Sequence, residues 1–384
     1  MRLVGPNTHG RHTKGPLLSL FCGAGGLDLG FEQAGYSIEL ALDVDPVAVR
    51  THNFNRTRPS ARICDLSRES PGTMVSWWQE QADGIAPIGI IGGPPCQAFS
   101  VSNVHRFESD PRAVLPLAYA DILATFHRKF ALRFFLFENV AGLGNPPHAD
   151  SLELFMERFQ QAGFPYVIRF YLDAVDFGVA QRRRRMFIAG FDVAAAAAEF
   201  SPPRGDPSRR LTVRDLISGL PEPVLHGAGR HPADVGLHPN HWAMAPRSPK
   251  FRNGSLRPGQ MLGRSFRTLD WDQPSWTVAY GHREVHVHPS TTRRLSVYEA
   301  LRLQGFPGVY QLQGTLSDQI RLVSDAVPPP LAKALASTIA AYLGLACKGS
   351  EETHHVDNGH TRQSGRVGVH TRAPRSTKPR TVSS

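Results

Sequence analysis

Short apolar segments alternate with segments of helical spacing over the first half of the chain. The apolar segments cover residues 17–21, 38–42, 62–64, 88–91 and 134–137. Runs of this length, bounded by turn residues, are typical of strands buried on both faces of a sheet. Strands that alternate with helices predict a mainly parallel, doubly wound α/β sheet, which we place over residues 17–192.

The turns that follow these strands carry glycine, cysteine or acidic residues, at the edge where open α/β sheets bind ligands. The first strand runs into the glycine-rich turn 22–26 and then into a helix, as nucleotide-type binding folds do. The second strand ends in Asp43 and Asp45, and Pro46 follows. We predict that Asp43 faces a ligand, whereas Asp45 caps the next helix, for which proline is a suitable first residue.

The fourth strand leads into the segment 92–100, which contains Cys96 between two prolines and a polar stretch. Proline fixes φ and restricts the loop, so the thiol is presented in few orientations. Cys96 is therefore either a thiolate nucleophile or a packed structural cysteine. The fifth strand ends at Glu138, which is either a catalytic acid or a cap of the following turn.

Taken together and in this order, these segments resemble the cytosine-5 DNA methyltransferases, over about residues 17–344. The similar blocks are the cofactor loop, the nucleophile loop, the acid motif, the Gln-x-Arg-x-Arg motif, and the ninth and last blocks. They lie at residues 21–26, 94–97, 138–140, 181–185, 294–307 and 326–329. The Asp/Asn-Pro-Pro-aromatic motif of amino-group methyltransferases is not found, so the resemblance favours chemistry at ring carbon 5.

The resemblance implies a reaction and its catalytic residues. Cys96 would attack carbon 6 of cytosine, Glu138 would protonate or hydrogen-bond N3, and Arg185 would hold the base carbonyl. Arg183 would contact the base or its phosphate. Because side chains alternate along a strand, we predict that Arg183 and Arg185 face the site and that Arg182 and Arg184 face away. The alternative is a solvated basic edge.

The resemblance also implies S-adenosylmethionine as the cofactor and a Rossmann-like fold that binds it. Its contacts are expected at Phe21, Gly23, Gly25, Gly26, Asp43, Val44, Asp65, Leu66, Pro94 and Asp325. Asp325 stands where the family usually has asparagine. Since an ionised aspartate accepts but does not donate hydrogen bonds, we expect the contact with the methionine part to differ here.

A composition change after Phe191, to Pro, Gly, Arg and His without clear period, marks the predicted target-recognition region. We place this domain at residues 193–321, including the motif helix 293–307, and expect its tryptophans Trp242, Trp271 and Trp276 to form a small core. Contacts with DNA are expected at Arg247, Arg252, Arg264 and Arg267, each suited to phosphate or base. Further contacts are expected at Gln97, Ser100, Arg106 and Arg112, in a loop that closes over a base swung out of the duplex.

The remaining boundaries follow from caps and composition. Residues 1–16 read as a flexible leader, 322–346 as a helix that returns to the catalytic domain, and 347–384 as a disordered basic tail. Ser296 and Glu299 form a capping-box pattern that predicts a helix ending near Gly305.

The net charge of +10 favours a polyanionic partner, and we expect duplex DNA. No apolar run of membrane-spanning length and no signal core are present, and the four cysteines lie far apart. We therefore expect a monomeric, cytoplasmic, nucleoid-associated prokaryotic enzyme without a metal, partnered by a cognate restriction endonuclease. Two alternatives stay open. One is an RNA methyltransferase of the transfer-RNA branch, which carries a Cys-Phe-Thr signature in its recognition region, but this chain has no cysteine between Cys96 and Cys347. The other is a catalytically silent DNA-binding relative.

Overall fold

The computed structural model describes residues 14–95, 114–192, 199–277 and 284–345. Cys96 and the loop candidates Gln97, Ser100, Arg106 and Arg112 lie outside these residues. The predictions for the leader before residue 14 and for the tail after residue 345 also lie outside them.

Seven strands of the described chain form the central sheet, in the order β3-β2-β1-β4-β5-β8-β6. Their bounds are β1 Pro16–Leu20, β2 Ser37–Asp43, β3 Ala61–Ile63, β4 Gly89–Gly92, β5 Phe134–Val140, β6 Tyr166–Asp173 and β8 Arg184–Phe191. All neighbours pair in parallel except β8, which runs antiparallel to both β5 and β6. The predicted mainly parallel α/β sheet is confirmed, although the sequence patterns had not singled out β6 and β8.

Helices cover both faces of this sheet because its strands are apolar on both sides. Leu17 packs in one hydrophobic cluster and its neighbour Leu18 in the other. The first face carries α1 (Gly26–Gln33), α2 (Pro46–Phe54) and α9 (Pro329–Tyr342), and the second carries α3 (Pro71–Gln81), α4 (Leu115–Phe130) and α5 (Ala149–Gln161).

The chain returns to the sheet through α9, as the sequence predicts. Its apolar residues Leu331 and Leu335 share a cluster with Phe31 of α1. A Cβ on Gly30 would lie 2.3 Å from the Cβ of Ala332 and 2.6 Å from the carbonyl oxygen of Pro329. Glycine at this position therefore allows α1 and α9 to approach closely.

The segment between the sheet and this return is built from short elements. They are β7 (Gln181–Arg182), α6 (Val213–Ile217), β9 (Val224–Leu225), β10 (Trp242–Ala243), β11 (Met261–Leu262), β12 (Phe266–Thr268), β13 (Ser275–Trp276), β14 (His286–Val287), α7 (Val297–Leu303) and α8 (Leu316–Asp325). Trp271 and Trp276 pack around a small apolar core, as predicted, whereas Trp242 packs on a different cluster and donates to Gln319.

The described residues belong to one compact unit, and the boundaries at residues 193 and 321 stay predictions. Ser296 and Glu299 form the predicted capping box at the start of α7. Across the described ranges, no helix is long and apolar enough to cross a membrane.

Candidate active site

The loop after β1 turns sharply and presents one open glycine. Phe21, Gly23 and Gly25 all have left-handed backbone conformations, with φ of 56°, 53° and 77°. A Cβ on Gly23 would meet only the carbonyl oxygen of Phe21 at 3.9 Å, whereas one on Gly26 would lie 2.2 Å from that of Val327. Gly25 is also enclosed, although less tightly, because its Cβ would lie 3.0 Å from Tyr310 Oη. Only Gly23 therefore leaves room for a ligand on its Cα side.

A buried polar cluster supports this loop from below. The carboxylate of Asp28 accepts from Ser19 Oγ at 2.7 Å and lies 2.8 Å from His52 Nε2, and none of these side chains reaches solvent. Burial lowers the pKa of His52, so the ring is neutral and its Nε2–H donates to Asp28. The cluster joins β1, α1 and α2, and sequence reasoning missed it because its members are far apart in the chain.

Asp43 and Asp45 divide their roles at the end of β2. Asp45 accepts from the backbone N–H of Val47 and caps α2, as predicted. Asp43 accepts from the N–H of Gly23 through Oδ2 and from that of Asp45 through Oδ1, both at 2.9 Å. Burial raises the pKa of Asp43, while these two hydrogen bonds lower it. The carboxylate thus ties the β1 and β2 loops together and keeps lone pairs for a further donor.

Exposed apolar side chains flank the next stretch of the sheet edge. Val44, directly after β2, is 61% exposed, and Ile63, the last residue of β3, is 56% exposed. Asp65 accepts from the N–H and the Oγ of Ser67, and these hydrogen bonds lower its pKa. Leu66 is buried. Ile63 was not among the predicted ligand residues, and its unusual exposure on a strand is the signal that identifies it.

Glu138 lies at the end of β5 and is buried against a cation. Its Oε1 is 3.1 Å from Nε of Arg185, which β8 brings alongside by pairing Arg185 with Val140. Burial raises the pKa of Glu138, whereas Arg185 and Arg183 lower it and Asp325 raises it further. The net direction is upward, so the protonated carboxyl is favoured more than in water.

Gly93 and Asn139 fix the loop that leads to Cys96. A Cβ on Gly93 would lie 2.7 Å from Glu138 Oε2, so only glycine lets this loop lie against the carboxyl group. The side chain of Asn139 is buried. It donates from Nδ2 to the carbonyl oxygen of Pro94 and accepts from the N–H of Val140. The β4 loop and the acid are thereby held together. Both residues lie in segments that the sequence had singled out, but their contacts with Glu138 and Pro94 were not predicted.

The four consecutive arginines alternate as predicted. Arg182 and Arg184 are exposed, Arg183 is 1% exposed, and Arg185 turns toward Glu138. Arg183 donates from Nη1 to the carbonyl oxygen of Ser324 at 2.8 Å and from Nη2 to that of Asp325 at 3.1 Å. Its guanidinium therefore fastens the end of α8 to the sheet.

Asp325 is the last residue of α8 and lies close enough to Glu138 to affect its pKa. It is accessible to solvent, yet the protein around it raises its pKa by desolvation, against the lowering effects of Arg183, Arg321 and Arg185. Arg321 pairs with Asp45, so the end of α8 is also joined to the β2 loop. The end of α8 therefore lies between the β2 loop, where cofactor contacts are predicted, and Glu138 with Arg185, where base contacts are predicted.

The DNA-contact candidates lie in the segment of short strands between the sheet and the C-terminal return. Arg247, Arg252 and Arg264 are exposed, and Arg267 is half-buried. No group of three or more possible metal ligands occurs in the part of the chain that is described. His286 bonds to Glu284, and His288 bonds to Ser290.

Comparison with known proteins identifies the family. The model of the C-5 cytosine-specific DNA methylases matches residues 16–341. The Type II methyltransferase M.FnuDI of Fusobacterium nucleatum is 33% identical over 348 residues, which cover 84% of this chain and 93% of the relative. The Type II methyltransferase M.MthTI of Methanothermobacter thermautotrophicus is 31% identical over 346 residues, covering 84% and 96%.

A solved structure shows the same fold. A DNA modification methyltransferase assigned to an Escherichia coli prophage superposes with a TM-score of 0.69 at 22% identity, covering 86% of this chain and 99% of that one. The family model spans most of the chain, and two relatives of matching length are 33% and 31% identical over the aligned residues. The chain therefore belongs to the C-5 cytosine-specific DNA methylases and is a DNA cytosine-5-methyltransferase.

Proposed function

We propose that this enzyme methylates a flipped-out cytosine within a short sequence of duplex DNA, through a covalent bond between Cys96 and carbon 6. The observation that carries the proposal is the buried Glu138, paired with Arg185 and held against the loop that leads to Cys96. A ring atom stacked in a duplex is out of reach of such a buried site, so the base must leave the helix.

The attack on carbon 6 needs a proton or a strong hydrogen bond at N3. When the Cys96 thiolate forms the S–C6 bond, the electrons of the C5=C6 double bond move toward C4 and N3, where Glu138 supplies the proton. The raised pKa of Glu138 supports this role, because a carboxyl group must be protonated to give a proton. Carbon 5 has then become nucleophilic and takes the methyl group. Loss of the carbon-5 proton and of the thiolate, with return of the N3 proton to the Glu138 carboxylate, restores the aromatic ring.

Arg185 is proposed to hold the carbonyl oxygen of the base. Its Nε already contacts Glu138, and guanidinium offers further donors in a fixed plane. We assign Arg183 a positioning role, since its guanidinium donates to the carbonyls of Ser324 and Asp325.

S-adenosylmethionine, when bound, would supply the methyl group. The residues present fit it, because Gly23 leaves its Cα side open and no side chain caps the start of α1 at Gly26. Asp43 would accept from the ribose hydroxyls and Asp65 from the adenine amino group. Apolar contacts would come from Phe21, Val44, Ile63, Leu66 and Pro94. The backbone of Gly25 and Gly26 would line the loop, and Asp325 would face the methionine ammonium group.

The positive charge of the chain supports binding to DNA phosphates. We propose phosphate or base contacts for Arg247, Arg252, Arg264 and Arg267. Gln97, Ser100, Arg106 and Arg112 would act in a loop that closes over the flipped base.

The relatives are named Type II methyltransferases, and we propose that this enzyme likewise protects host DNA from a cognate restriction endonuclease. It would act as a monomer in the cytoplasm of a prokaryote, on DNA of the nucleoid. Host DNA that resists a nuclease only when this chain is expressed would support that role.

Trapping with fluorinated DNA tests the covalent step. A pool of random-sequence duplexes is prepared with 5-fluorocytosine in place of cytosine, so that any short target sequence is present in it. After methyl transfer, fluorine cannot leave carbon 5 as a proton does, so the S–C6 bond persists on a denaturing gel. We expect an adduct with the native enzyme and none with Cys96→Ala. Absence of an adduct with both, or an adduct only with fluorinated RNA, would contradict the proposal.

A further inference from the structure

One stretch of the recognition region carries charge of a single sign. Residues 235–269 contain six lysines and arginines and no aspartate or glutamate. The six are Arg247, Lys250, Arg252, Arg257, Arg264 and Arg267. Such a concentration of cations, between Asp234 and Asp270, suits a surface that meets a polyanion.

Within this stretch, β11 and β12 form a hairpin with two different faces. Met261 pairs with Arg267 and Leu262 pairs with Phe266. Leu262 and Phe266 pack on the small cluster of Phe251, Leu256 and Val287. Side chains alternate along a strand, so Met261 and Arg267 share the opposite face. Met261 is 52% exposed there, which is unusual for a methionine in a strand.

The tip of this hairpin is anchored. The guanidinium of Arg294 lies 4.8 Å from the ring centroid of Phe266 and 5.7 Å from that of Phe251. Arg294 also donates from Nη1 to the carbonyl oxygen of Ser265 at 2.9 Å. Since Arg294 lies just before the capped start of α7, the turn between the two strands is held by the body of the protein. A rigid support of this kind reduces the entropy lost on binding.

The base of the hairpin lies beside the arginine motif of the active site. β13 pairs with β7, with Trp276 opposite Arg182. A cavity at this junction is lined by Arg182 and Trp276 together with Gly259, Leu269 and Asp270, where the hairpin begins and ends. The hairpin is thus attached next to the strand that leads to Arg183 and Arg185.

Arg267 and Gln260 retain hydrogen-bonding capacity on this element. Arg267 Nε and Gln260 Oε1 are buried and have no hydrogen-bond partner within the described residues. Polar groups in this state are uncommon in folded proteins, and an incoming ligand is one way to satisfy them. Both residues are partly exposed, so a ligand can reach other atoms of the same side chains.

From these observations we propose that the hairpin 261–268 is the sequence-reading element of the enzyme. Arg267 would donate to a base edge in the major groove, Met261 would make an apolar contact with a neighbouring base, and Arg264 in the turn would contact a phosphate. A two-stranded ribbon fits a major groove of about 12 Å width, and arginine pairs well with the acceptors of guanine. The inference rests on the proposed action on duplex DNA.

Two readouts on the same variants test this assignment. Duplexes bound from a randomised pool are sequenced, and genomic methylation is mapped in a methylation-deficient host. Met261→Ala, Arg267→Ala and Arg264→Ala are compared with Leu154→Ala and Arg128→Ala, which alter an exposed apolar residue and an exposed cation outside the recognition region. Melting temperatures identify any variant that fails to fold.

We expect Arg267→Ala and Met261→Ala to relax the motif at one or two positions, with discrimination falling roughly tenfold. Arg264→Ala should weaken binding of all sequences alike and reduce the salt slope by about one. An unchanged motif and unchanged affinity in folded Met261→Ala and Arg267→Ala would overturn the assignment. The binding readout does not depend on methyl transfer, so a motif selected without methylation would count against the proposed chemistry and not against the hairpin.

Discussion

Glu138 is subject to opposing influences at the scale of single residues. Burial and Asp325 raise its pKa, while Arg185 and Arg183 lower it. A proton donor works best when its pKa lies near the working pH, and the balance of these neighbours moves Glu138 in that direction. Its surroundings therefore matter as much as its identity.

Gly93→Ala tests the contact between the nucleophile loop and the acid. The new Cβ would lie 2.7 Å from Glu138 Oε2, so either the loop or the carboxyl group must shift. A displacement of about 1 Å at a reacting group can cost about a hundredfold in rate, and we expect single-turnover methyl transfer to fall at least tenfold. Gly72→Ala, where the nearest atom would be 3.7 Å away, is the matched control. Equal rates in the two variants would contradict the assigned contact.

Asp325→Asn tests the electrostatic coupling in the cleft. The variant removes a negative charge that raises the pKa of Glu138, so that pKa should fall. Because Glu138 acts in its protonated form, the rate declines above its pKa, and the alkaline limb of the pH–rate profile should move to lower pH. The control is Asp121→Asn, on the exposed face of α4. An unshifted alkaline limb in Asp325→Asn would show that the two carboxyl groups are not coupled.

Several residue assignments were accessible from the sequence and others were not. Pro46 after Asp45 identified the helix cap, and strand alternation oriented the four arginines correctly. The residues that contact Arg183 and Gly93 were not predictable, because they come from distant segments of the chain. The carbonyls that hold Arg183 lie about 140 positions away, and the clash that requires glycine at position 93 involves a side chain on another strand.

At the scale of elements, the fit of α9 against α1 closes the first face of the sheet. The two helices approach closely because Gly30 has no side chain. Gly26 likewise has no room for a side chain, because a Cβ there would lie 2.2 Å from the carbonyl oxygen of Val327. The cofactor loop and the C-terminal return are therefore positioned by one another.

Gly30→Ala should destabilise the protein, although alanine is the better helix former. The added methyl group would meet Ala332 Cβ at 2.3 Å and the backbone of Pro329 and Lys333. Overpacking typically costs about 1–3 kcal/mol, which exceeds the helix-propensity gain of about 1 kcal/mol. Denaturant unfolding measures the difference, with Gly72→Ala expected to be neutral or slightly stabilising. A stabilised Gly30→Ala variant would mean that α1 and α9 are not in close contact.

Elements with strong local signals were predictable. The strands β1 to β5 coincide with apolar runs, and the capping box identified α7. Helix α8 begins with the same kind of capping box, formed by Thr315 and Asp318. The recognition region could not be predicted in this way, because strands of two or three residues have no measurable period and are defined by their partners.

At the scale of the whole molecule, positive charge is concentrated in the recognition region. The net charge of +10 and the acid-free stretch 235–269 both favour DNA phosphates. Fold class and charge were predictable because each is a sum over many residues. The placement of the recognition region beside the active site depends on the pairing of β7 with β13, which sequence patterns do not reveal.

Binding to DNA should weaken steeply with salt. A protein that neutralises about 6–10 phosphates loses roughly 10³–10⁵ in affinity between about 50 and 200 mM salt, through counterion release. Fluorescence anisotropy with a labelled duplex at several salt concentrations gives the slope. Affinity that hardly changes over this range would contradict an interface dominated by phosphate contacts.

The most direct test of the account is the map of cytosine methylation in a methylation-deficient bacterial host that expresses this chain. We predict 5-methylcytosine at one short motif throughout the genome with the native enzyme, and none with Cys96→Ala. Glu138→Ala, expressed to the same level, should react much more slowly and show no methylation at early times. Unmodified DNA from a soluble, folded native enzyme, or methylation that survives Cys96→Ala, would contradict it.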